Sequence, residues 1–234
     1  MTTQRKADLL LVLITGFWGC SYYLSDLALE EMPPFALCAM RFLLAFALLG
    51  IALFPKLRHI NRKTLLWAVP AGLSLTLTYI GATVGLLYTS ISNAGFICSL
   101  PAVTTPLLTF LLYRKKPERR MLLCLALCTV GLGLLTLGND FRPAPGDLIC
   151  LLCALGYGIN LLVVEHAVRQ PEVDALQLGV FQQLVTGAAM LVLSLLFETP
   201  CLPRTPTGWG SVLFLSVFCT GIAFAITAVQ QKHT

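Results

Sequence analysis

Residues 35–54 read FALCAMRFLLAFALLGIALF, a stretch in which Arg41 is the one charged residue. Wound as an α-helix at 1.5 Å per residue, this stretch is about 30 Å long, which matches the hydrocarbon core of a bilayer. An apolar run of this length predicts a transmembrane helix. The same pattern recurs along the chain and determines its fold class.

Eight such stretches alternate with short clusters of charged residues. They cover 8–28, 35–54, 65–87, 91–113, 121–139, 147–165, 176–197 and 208–229. Charged residues make up 12% of the chain and hydrophobic residues 57%, whereas about a quarter of an ordinary soluble domain is charged. The runs are too long for β-barrel strands and do not alternate. The sequence predicts an all-α, polytopic transmembrane helix bundle with about eight spans.

Lysine and arginine are concentrated in every second loop. These loops contain Arg5, Lys6, Lys56, Arg58, Arg62, Lys63, Arg114, Lys115, Lys116, Arg119, Arg120, Arg169 and Lys232, whereas the others hold Arg142 and Arg204. The positive-inside rule then predicts a multi-pass protein of the cell membrane with both termini in the cytoplasm. The net charge of +5 is a topology signal, with anionic lipid headgroups as secondary contacts, so we expect no nucleic-acid partner.

The two halves of the sequence resemble each other. Phe17-Trp18-Gly19 in the first span corresponds to Gly156-Tyr157-Gly158 in the sixth, and Trp67 and Thr78 correspond at one common spacing to Trp209 and Thr220. A first repeat over 1–140 has five spans, an odd number, so its copy over 141–234 enters the membrane from the opposite side. Such inverted repeats are typical of secondary transporters. The register also predicts a ten-helix design in which the second copy is truncated after three helices.

Several short motifs carry a family resemblance over the whole chain. They are Phe17-Trp18-Gly19, Pro33-Pro34, Arg41-Phe42, Tyr88–Ala94, Pro101 with Pro106, Gly146-Asp147 and Thr220–Ala223. In this order the sequence resembles the EamA family of the drug/metabolite transporter superfamily. The resemblance implies a transporter with ten helices, of which this chain lacks the last two.

The repeat and the resemblance together indicate a function. We expect a secondary transporter of small organic metabolites that works by alternating access across the cytoplasmic membrane, with export as the favoured direction. The chain has no P-loop or HExxH sequence, so we expect no enzyme, no cofactor and a solute or proton gradient as the energy source. The alternative is a truncated membrane protein that does not transport, or a half that needs a partner. The expected partners are a small-molecule substrate and lipids, and a homodimer stays open.

Aromatic, amide and hydroxyl side chains recur on the spans expected to face the repeat axis. With Arg41, the candidates for a substrate cavity are Trp18, Tyr22, Tyr79, Asn93, Tyr157, Asn160, Thr220 and Gln230. Such walls suit amphipathic solutes. Each residue also has an ordinary structural explanation, because Tyr and Trp populate membrane interfaces and Asn or Thr bonds neighbouring helices.

Arg41 is the clearest candidate because a charged side chain inside a span is costly. Its guanidinium would bind a carboxylate or phosphate of the substrate. The competing interpretation, slightly favoured, is a structural charge pair with Asp26 near the end of the first span. Asp26 is alternatively a proton-coupling carboxylate.

Two prolines and a cysteine pair complete the candidates. Pro101 and Pro106 in the fourth span predict a bend that serves either gating or a static kink. Gly81-x-x-x-Gly85 in the third span predicts close helix packing. Cys150-x-x-Cys153 lies in an apolar helix without a second pair, so we expect helix contacts there and no metal site.

Overall fold

The computed structural model describes residues 3–114, 122–123, 126–128, 130–131, 134 and 144–231. All regular elements in these residues are helical, as predicted. Seven of the helices described are long and apolar enough to cross a membrane. They are Leu9–Leu29, Pro34–Ala52, Arg62–Leu86, Ile91–Leu112, Pro145–Val168, Ala175–Phe197 and Pro206–Gln230. Most of the predicted span at 121–139 lies outside the described residues.

The helices are numbered in chain order. They are α1 Thr3–Leu29, α2 Pro34–Ala52, α3 Phe54–Leu57, α4 Arg62–Leu86, α5 Ile91–Cys98, α6 Pro101–Tyr113, α7 Pro145–Val168, α8 Ala175–Phe197, α9 Pro206–Phe214 and α10 Ala223–Gln231. Between α9 and α10 runs the π segment, Leu215–Ile222, which is wound as a π-helix. Apart from 121–139, the predicted spans therefore agree with the observed helices to within a few residues.

Two predicted spans are interrupted. The fourth is divided at Ser99 and Leu100 into α5 and α6, and Pro101 becomes the first residue of α6. Proline is favoured at that position because the first helical N–H has no partner within the helix. The last span is divided by the π segment, which no sequence pattern indicated.

The chain forms two compact units. The larger unit comprises Met1–Thr76 and Val163–Thr234, and the smaller unit comprises Leu77–Leu162. In the larger unit, α2 packs along α8 and against the π segment, while α1 packs on α9 and the π segment. A Cβ on Gly187 of α8 would come within 3.0 Å of the backbone nitrogen of Leu43, so glycine permits the close approach of α2 and α8.

Carboxylate and hydroxyl side chains accept hydrogen bonds from the free backbone N–H groups at the start of several helices. The two carboxylate oxygens of Glu198 accept from the backbone N–H groups of Phe35 and Ala36, each at 2.9 Å, at the start of α2. Asp174 accepts from Gln177 at the start of α8, and Thr205 accepts from Gly208 at the start of α9. Helix starts carry N–H groups without intrahelical partners, so each of these acceptors stabilises its helix.

The smaller unit holds the end of α4 together with α5, α6 and most of α7. A Cβ on Gly81 would lie 2.3 Å from the backbone nitrogen of Cys153, and one on Gly85 would lie 2.5 Å from the sulfur of Cys150. Substitution at either glycine would force α4 away from α7. The close packing predicted from Gly81-x-x-x-Gly85 is therefore confirmed.

Large apolar side chains cover the outer faces of these helices. At the end of α8, Leu195, Leu196 and Phe197 are 65%, 69% and 71% exposed. Contiguous apolar surface of this kind suits a lipid environment and is rare on a soluble monomer. The chain is a multi-pass membrane protein.

Candidate functional site

Arg41 lies in the middle of α2 and is 4% exposed. Its Nε donates to the hydroxyl of Thr220, and its Nη2 donates to the carbonyl oxygen of Cys219 at 3.5 Å. Both acceptors belong to the π segment. A charged side chain from the middle of one span is thus held by the irregular turn of another.

The carbonyl of Cys219 accepts a second hydrogen bond. The indole Nε1 of Trp18 donates to it at 3.0 Å, and the Cys219 thiol donates to the carbonyl of Phe17 at 3.2 Å. Three residues predicted for the substrate cavity, Trp18, Arg41 and Thr220, therefore meet around the π segment. We call these three residues with Cys219 the Arg41 cluster.

Aromatic rings adjoin the Arg41 cluster. The ring centroids of Trp18 and Phe224 are 5.7 Å apart, and those of Phe42 and Phe224 are 6.2 Å apart. The guanidinium carbon of Arg41 lies 6.0 Å from the centroid of the Phe42 ring. The cluster thus combines a cation with aromatic surface, an arrangement suited to an amphipathic anion.

Gln183 of α8 adds a polar group that sequence reasoning did not select. The side chain is fully buried, and its amide nitrogen donates to the carbonyls of Gly179 at 3.0 Å and Gly221 at 3.4 Å. Its amide oxygen is buried without a hydrogen-bond partner in the described structure. A buried acceptor without a donor costs free energy, and Gln183 meets the π segment one residue after Thr220.

The π segment explains why these groups converge. In a π-helix each N–H bonds the carbonyl five residues back, and such turns are frequent at functional sites. Here one turn presents the Cys219 carbonyl, the Thr220 hydroxyl and the Gly221 carbonyl to side chains from three other helices.

The remaining candidates of the larger unit are placed as follows. Tyr22 and Asp26 on α1 and Gln230 near the end of α10 are half-buried. The charge pair between Asp26 and Arg41 stays a prediction. The hydrogen bonds of Arg41 described above go to neutral acceptors of the π segment.

The smaller unit holds the other candidates and a buried carboxylate. Asp147, 5% exposed, lies in the first turn of α7. One of its oxygens accepts from the hydroxyl of Thr89 and from the amide of Asn93 at 3.4 Å, and the other accepts from the N–H of Ala144 at 2.9 Å. Asn93 was predicted for the cavity, and here it contributes to this carboxylate network.

Three further candidates lie on α4 and α7. Tyr79 and Tyr157 are half-buried, and Asn160 is 3% exposed. Pro106 lies within α6, where its missing N–H interrupts the helix ladder. The cavity and gating roles of these residues stay predictions.

Side chains of the kinds that bind metals are dispersed in the described part of the chain. Among the residues that the structure describes, no group of three or more His, Cys, Asp and Glu side chains could hold a metal ion. Cys150 and Cys153 are buried free thiols on α7.

Two carboxylates outside the spans have a shifted pKa. Glu31 accepts from the Thr205 hydroxyl and from the backbone N–H groups of Arg204 and Thr205, and these bonds lower its pKa. The hydrogen bond from Lys63, at 2.6 Å, lowers the pKa of Glu172. Both groups tie loops together at the ends of helices.

The chain is similar to known transporters. The profile of the EamA-like transporter family matches residues 5–137 and 144–234. An uncharacterized transporter of Archaeoglobus fulgidus is 32% identical over 163 residues, which are 70% of this chain and 50% of the relative. The uncharacterized transporter YetK of Bacillus subtilis is 26% identical over 94% of this chain and 70% of its own length.

The match to the Archaeoglobus protein spans half the length of that relative. A solved crystal structure superposes with a TM-score of 0.73 at 22% identity, covering 98% of this chain and 80% of the other, which supports the helical fold. Together with the seven membrane-spanning helices, the two profile matches identify the protein as a member of the EamA-like transporter family.

Proposed function

We propose that the chain is a secondary transporter that moves a small organic metabolite bearing an anionic group across the cytoplasmic membrane by alternating access, with export as its direction. Family membership and the membrane-spanning helices support transport. The observation that carries the substrate class is the buried guanidinium of Arg41 against the π segment. A charged side chain within a span marks a functional site by default.

The hydrogen bonds of Arg41 suggest how a substrate would bind. Thr220 and the Cys219 carbonyl are neutral acceptors. A carboxylate or phosphate forms charge-assisted bonds to guanidinium that are about twice as strong, and it matches the planar fork in two-point contact. An anionic solute would therefore displace the neutral acceptors and release the guanidinium from the π segment.

Release of the π segment would couple binding to movement. A ligand shifts a conformational equilibrium only by its difference in affinity between the two states. In this proposal, the state that holds Arg41 on Thr220 is the empty one, and the solute favours the state in which that bond is broken. Either the solute gradient or a proton gradient drives the cycle.

The proposal also includes the expected repeats, the orientation of the termini and the cavity residues. The inverted repeats over 1–140 and 141–234 would rock around the site, with both termini in the cytoplasm and Pro101 and Pro106 in the gating helix. The aromatic rings of Trp18, Tyr22, Tyr79 and Tyr157 would contact the apolar part of the solute. The polar side chains of Asn93, Asn160, Thr220 and Gln230 would contact its polar part.

Reconstitution tests the proposal. Purified protein in liposomes is screened for flux of metabolites in three classes, carboxylates, phosphates and neutral amphipaths, against protein-free liposomes. We expect flux of at least one anionic class. Arg41→Lys keeps the charge and loses the fork, so its flux should fall strongly, whereas Arg169→Lys, on an exposed side chain, should leave flux unchanged.

Two results would contradict the proposal. One is the absence of flux above protein-free liposomes for all three classes. The other is flux that is carried equally by the wild type and Arg41→Lys, because the guanidinium would then have no part in binding.

A further inference from the structure

A groove on the outside of the larger unit lies where α2 ends and α3 begins. It has a volume of about 590 Å³ and is open along one side. We call it the α2–α3 groove, and its lining is Phe46, Ala47, Gly50, Ile51, Phe54, Leu57, Arg58 and Phe181. Seven of these eight side chains are apolar or absent, and the eighth is a cation.

The walls of the groove are held in place. The rings of Phe46 and Phe181 pack at 5.6 Å, and Leu57 is 7% exposed. The amide of Gln177 on α8 donates to the carbonyls of Lys56 at 2.8 Å and His59 at 3.3 Å. These bonds fix the turn that follows α3 against α8, so the groove exists before anything binds it.

The mouth of the groove is basic. The side chain of Arg58 is exposed and makes no hydrogen bond or ion pair with the described part of the chain. Lys56 lies in α3, Arg62 and Lys63 begin α4, and the sequence between residues 53 and 64 contains no Asp or Glu. Glu172 pairs with Lys63 at 2.6 Å, which leaves an excess of positive charge beside Arg58.

We propose that the α2–α3 groove is a binding site for an anionic phospholipid. One acyl chain lies over the apolar lining to which Phe46, Ile51 and Phe181 contribute, and the phosphate bonds the guanidinium of Arg58. Basic pockets at the membrane surface select anionic headgroups, because each nearby Lys or Arg adds attraction that a zwitterionic headgroup partly cancels. The groove thus combines the two features that such a lipid needs, an apolar channel and a cation at its mouth.

A second copy of the chain fits this groove less well. A two-fold contact brings the same patch of both copies together. It would place the basic residues after α3 against their own equivalents, and like charges at an interface oppose association. A lipid supplies the opposite charge instead.

Glycine offers a clean way to fill the groove. Gly50 lines the groove, and a Cβ there would have no atom within 4 Å, so Gly50→Leu adds a side chain to the groove with no clash at its Cβ. A Cβ on Gly210 of α9 likewise meets nothing within 4 Å, so Gly210→Leu is the matched control. For the headgroup, Arg58→Gln is compared with Arg62→Gln, since both arginines are exposed, Arg58 just after α3 and Arg62 at the start of α4, and only Arg58 lines the groove.

Native mass spectrometry of the purified full chain tests the proposal by measuring lipid binding. Phosphatidylglycerol and phosphatidylcholine with identical acyl chains are titrated, and the fraction of protein with one bound lipid is recorded. We expect tighter binding of phosphatidylglycerol. Arg58→Gln should weaken it about fivefold, the effect of one basic residue at a membrane surface, and Arg62→Gln should weaken it less. Gly50→Leu should abolish the tight site, and Gly210→Leu should leave it unchanged.

Several outcomes would overturn the proposal. Equal binding of the two lipids would show that the headgroup is not recognised. Equal loss in Arg58→Gln and Arg62→Gln would assign the effect to the whole basic surface. Tight binding that survives Gly50→Leu would place the lipid elsewhere, and a dimer that Gly50→Leu dissociates would assign the groove to a second copy. Thermal unfolding of each variant shows that it is folded, so a loss of binding is not a loss of structure.

Discussion

The larger and the smaller unit each bury one charged side chain in their described parts, and they accommodate it differently. In the smaller unit, Asp147 lies in the first turn of α7, where free N–H groups and the helix dipole favour an anion. In the larger unit, Arg41 lies in the middle of α2, where no helix end is available.

The hydrogen-bond partners of the two charged side chains also differ. Asp147 accepts from Thr89, Asn93 and the N–H of Ala144, so the start of the helix and its surroundings account for the carboxylate. Arg41 is held by a hydroxyl and a carbonyl of the π segment. The comparison separates a charge that completes a helix start from a charge in the middle of a span that is held by the irregular turn of another span. Our proposal assigns the substrate to the second of these, Arg41.

The largest effect is expected from Arg41→Gln. The variant removes the cation that our proposal assigns to the solute, and a hydrogen bond to a charged group contributes about 1.5–3 kcal/mol. The initial rate of solute flux in proteoliposomes, at solute well below saturation, should fall about 10–100-fold. Arg169→Gln serves as control because its side chain is 71% exposed. Similar flux in Arg41→Gln and wild type would show that Arg41 has no part in solute binding.

Asp147→Asn should affect stability and leave function intact. The amide cannot accept both from Ala144 and from the Thr89 and Asn93 donors, so the free energy of unfolding should fall by about 1–3 kcal/mol. Thermal unfolding in detergent measures the loss, and Thr89→Val, which removes one of the donors, should give a smaller loss. If flux per folded protein fell as much as in Arg41→Gln, the two charges would share one role.

Glu198→Ala tests, in the larger unit, a second carboxylate that is expected to stabilise a helix start and to have no part in transport. Glu198 accepts from Phe35 and Ala36 at the start of α2, and loss of an N-terminal cap costs about 1 kcal/mol. We expect a lower unfolding temperature with normal flux. Glu165→Ala breaks only a surface pair with Arg169 and should cost a few tenths of a kcal/mol. Equal effects of the two variants would argue against the capping role.

The smallest effect is expected from Glu31, a half-buried carboxylate between α1 and α2. Its pKa in the folded chain is lowered from 4.5 by the donors of Arg204 and Thr205, so its contribution to stability is complete above pH 4.5 and is lost as the pH falls through the lowered value. Unfolding temperatures measured from about pH 6 downward should show this loss in the wild type and not in Glu31→Gln. Glu30→Gln changes the same charge one residue earlier and should keep the wild-type curve.

The sequence predicted the membrane spans well because apolar length is a local property. The stretch 176–197 agrees with Ala175–Phe197, and 35–54 agrees with Pro34–Ala52 followed by α3. The cost of burying polar groups in lipid acts residue by residue, so hydropathy records it directly.

Three residues of the Arg41 cluster were selected from the sequence, but their contacts with one another were not predicted. Trp18, Arg41 and Thr220 were each selected as polar or aromatic residues inside spans, but their meeting point depends on how distant segments pack. Gln183 is equally a polar residue inside a span and was not selected, and its orphan amide oxygen is visible only in three dimensions. The Glu198 cap joins residues that are far apart in sequence, so local motif reasoning could not find it.

The π segment has a consequence for the evolution of this chain. A turn that bonds five residues back holds one more residue than an α-turn, which displaces everything after it by about 100° around the helix axis. Phe224 reaches Trp18 and Phe42 from beyond this extra residue. A deletion of one residue within 215–222 that restored the α-helix would rotate Phe224 away from both rings. The length of this segment is therefore under a constraint that composition alone does not express, and homologues should tolerate substitutions there more readily than insertions or deletions.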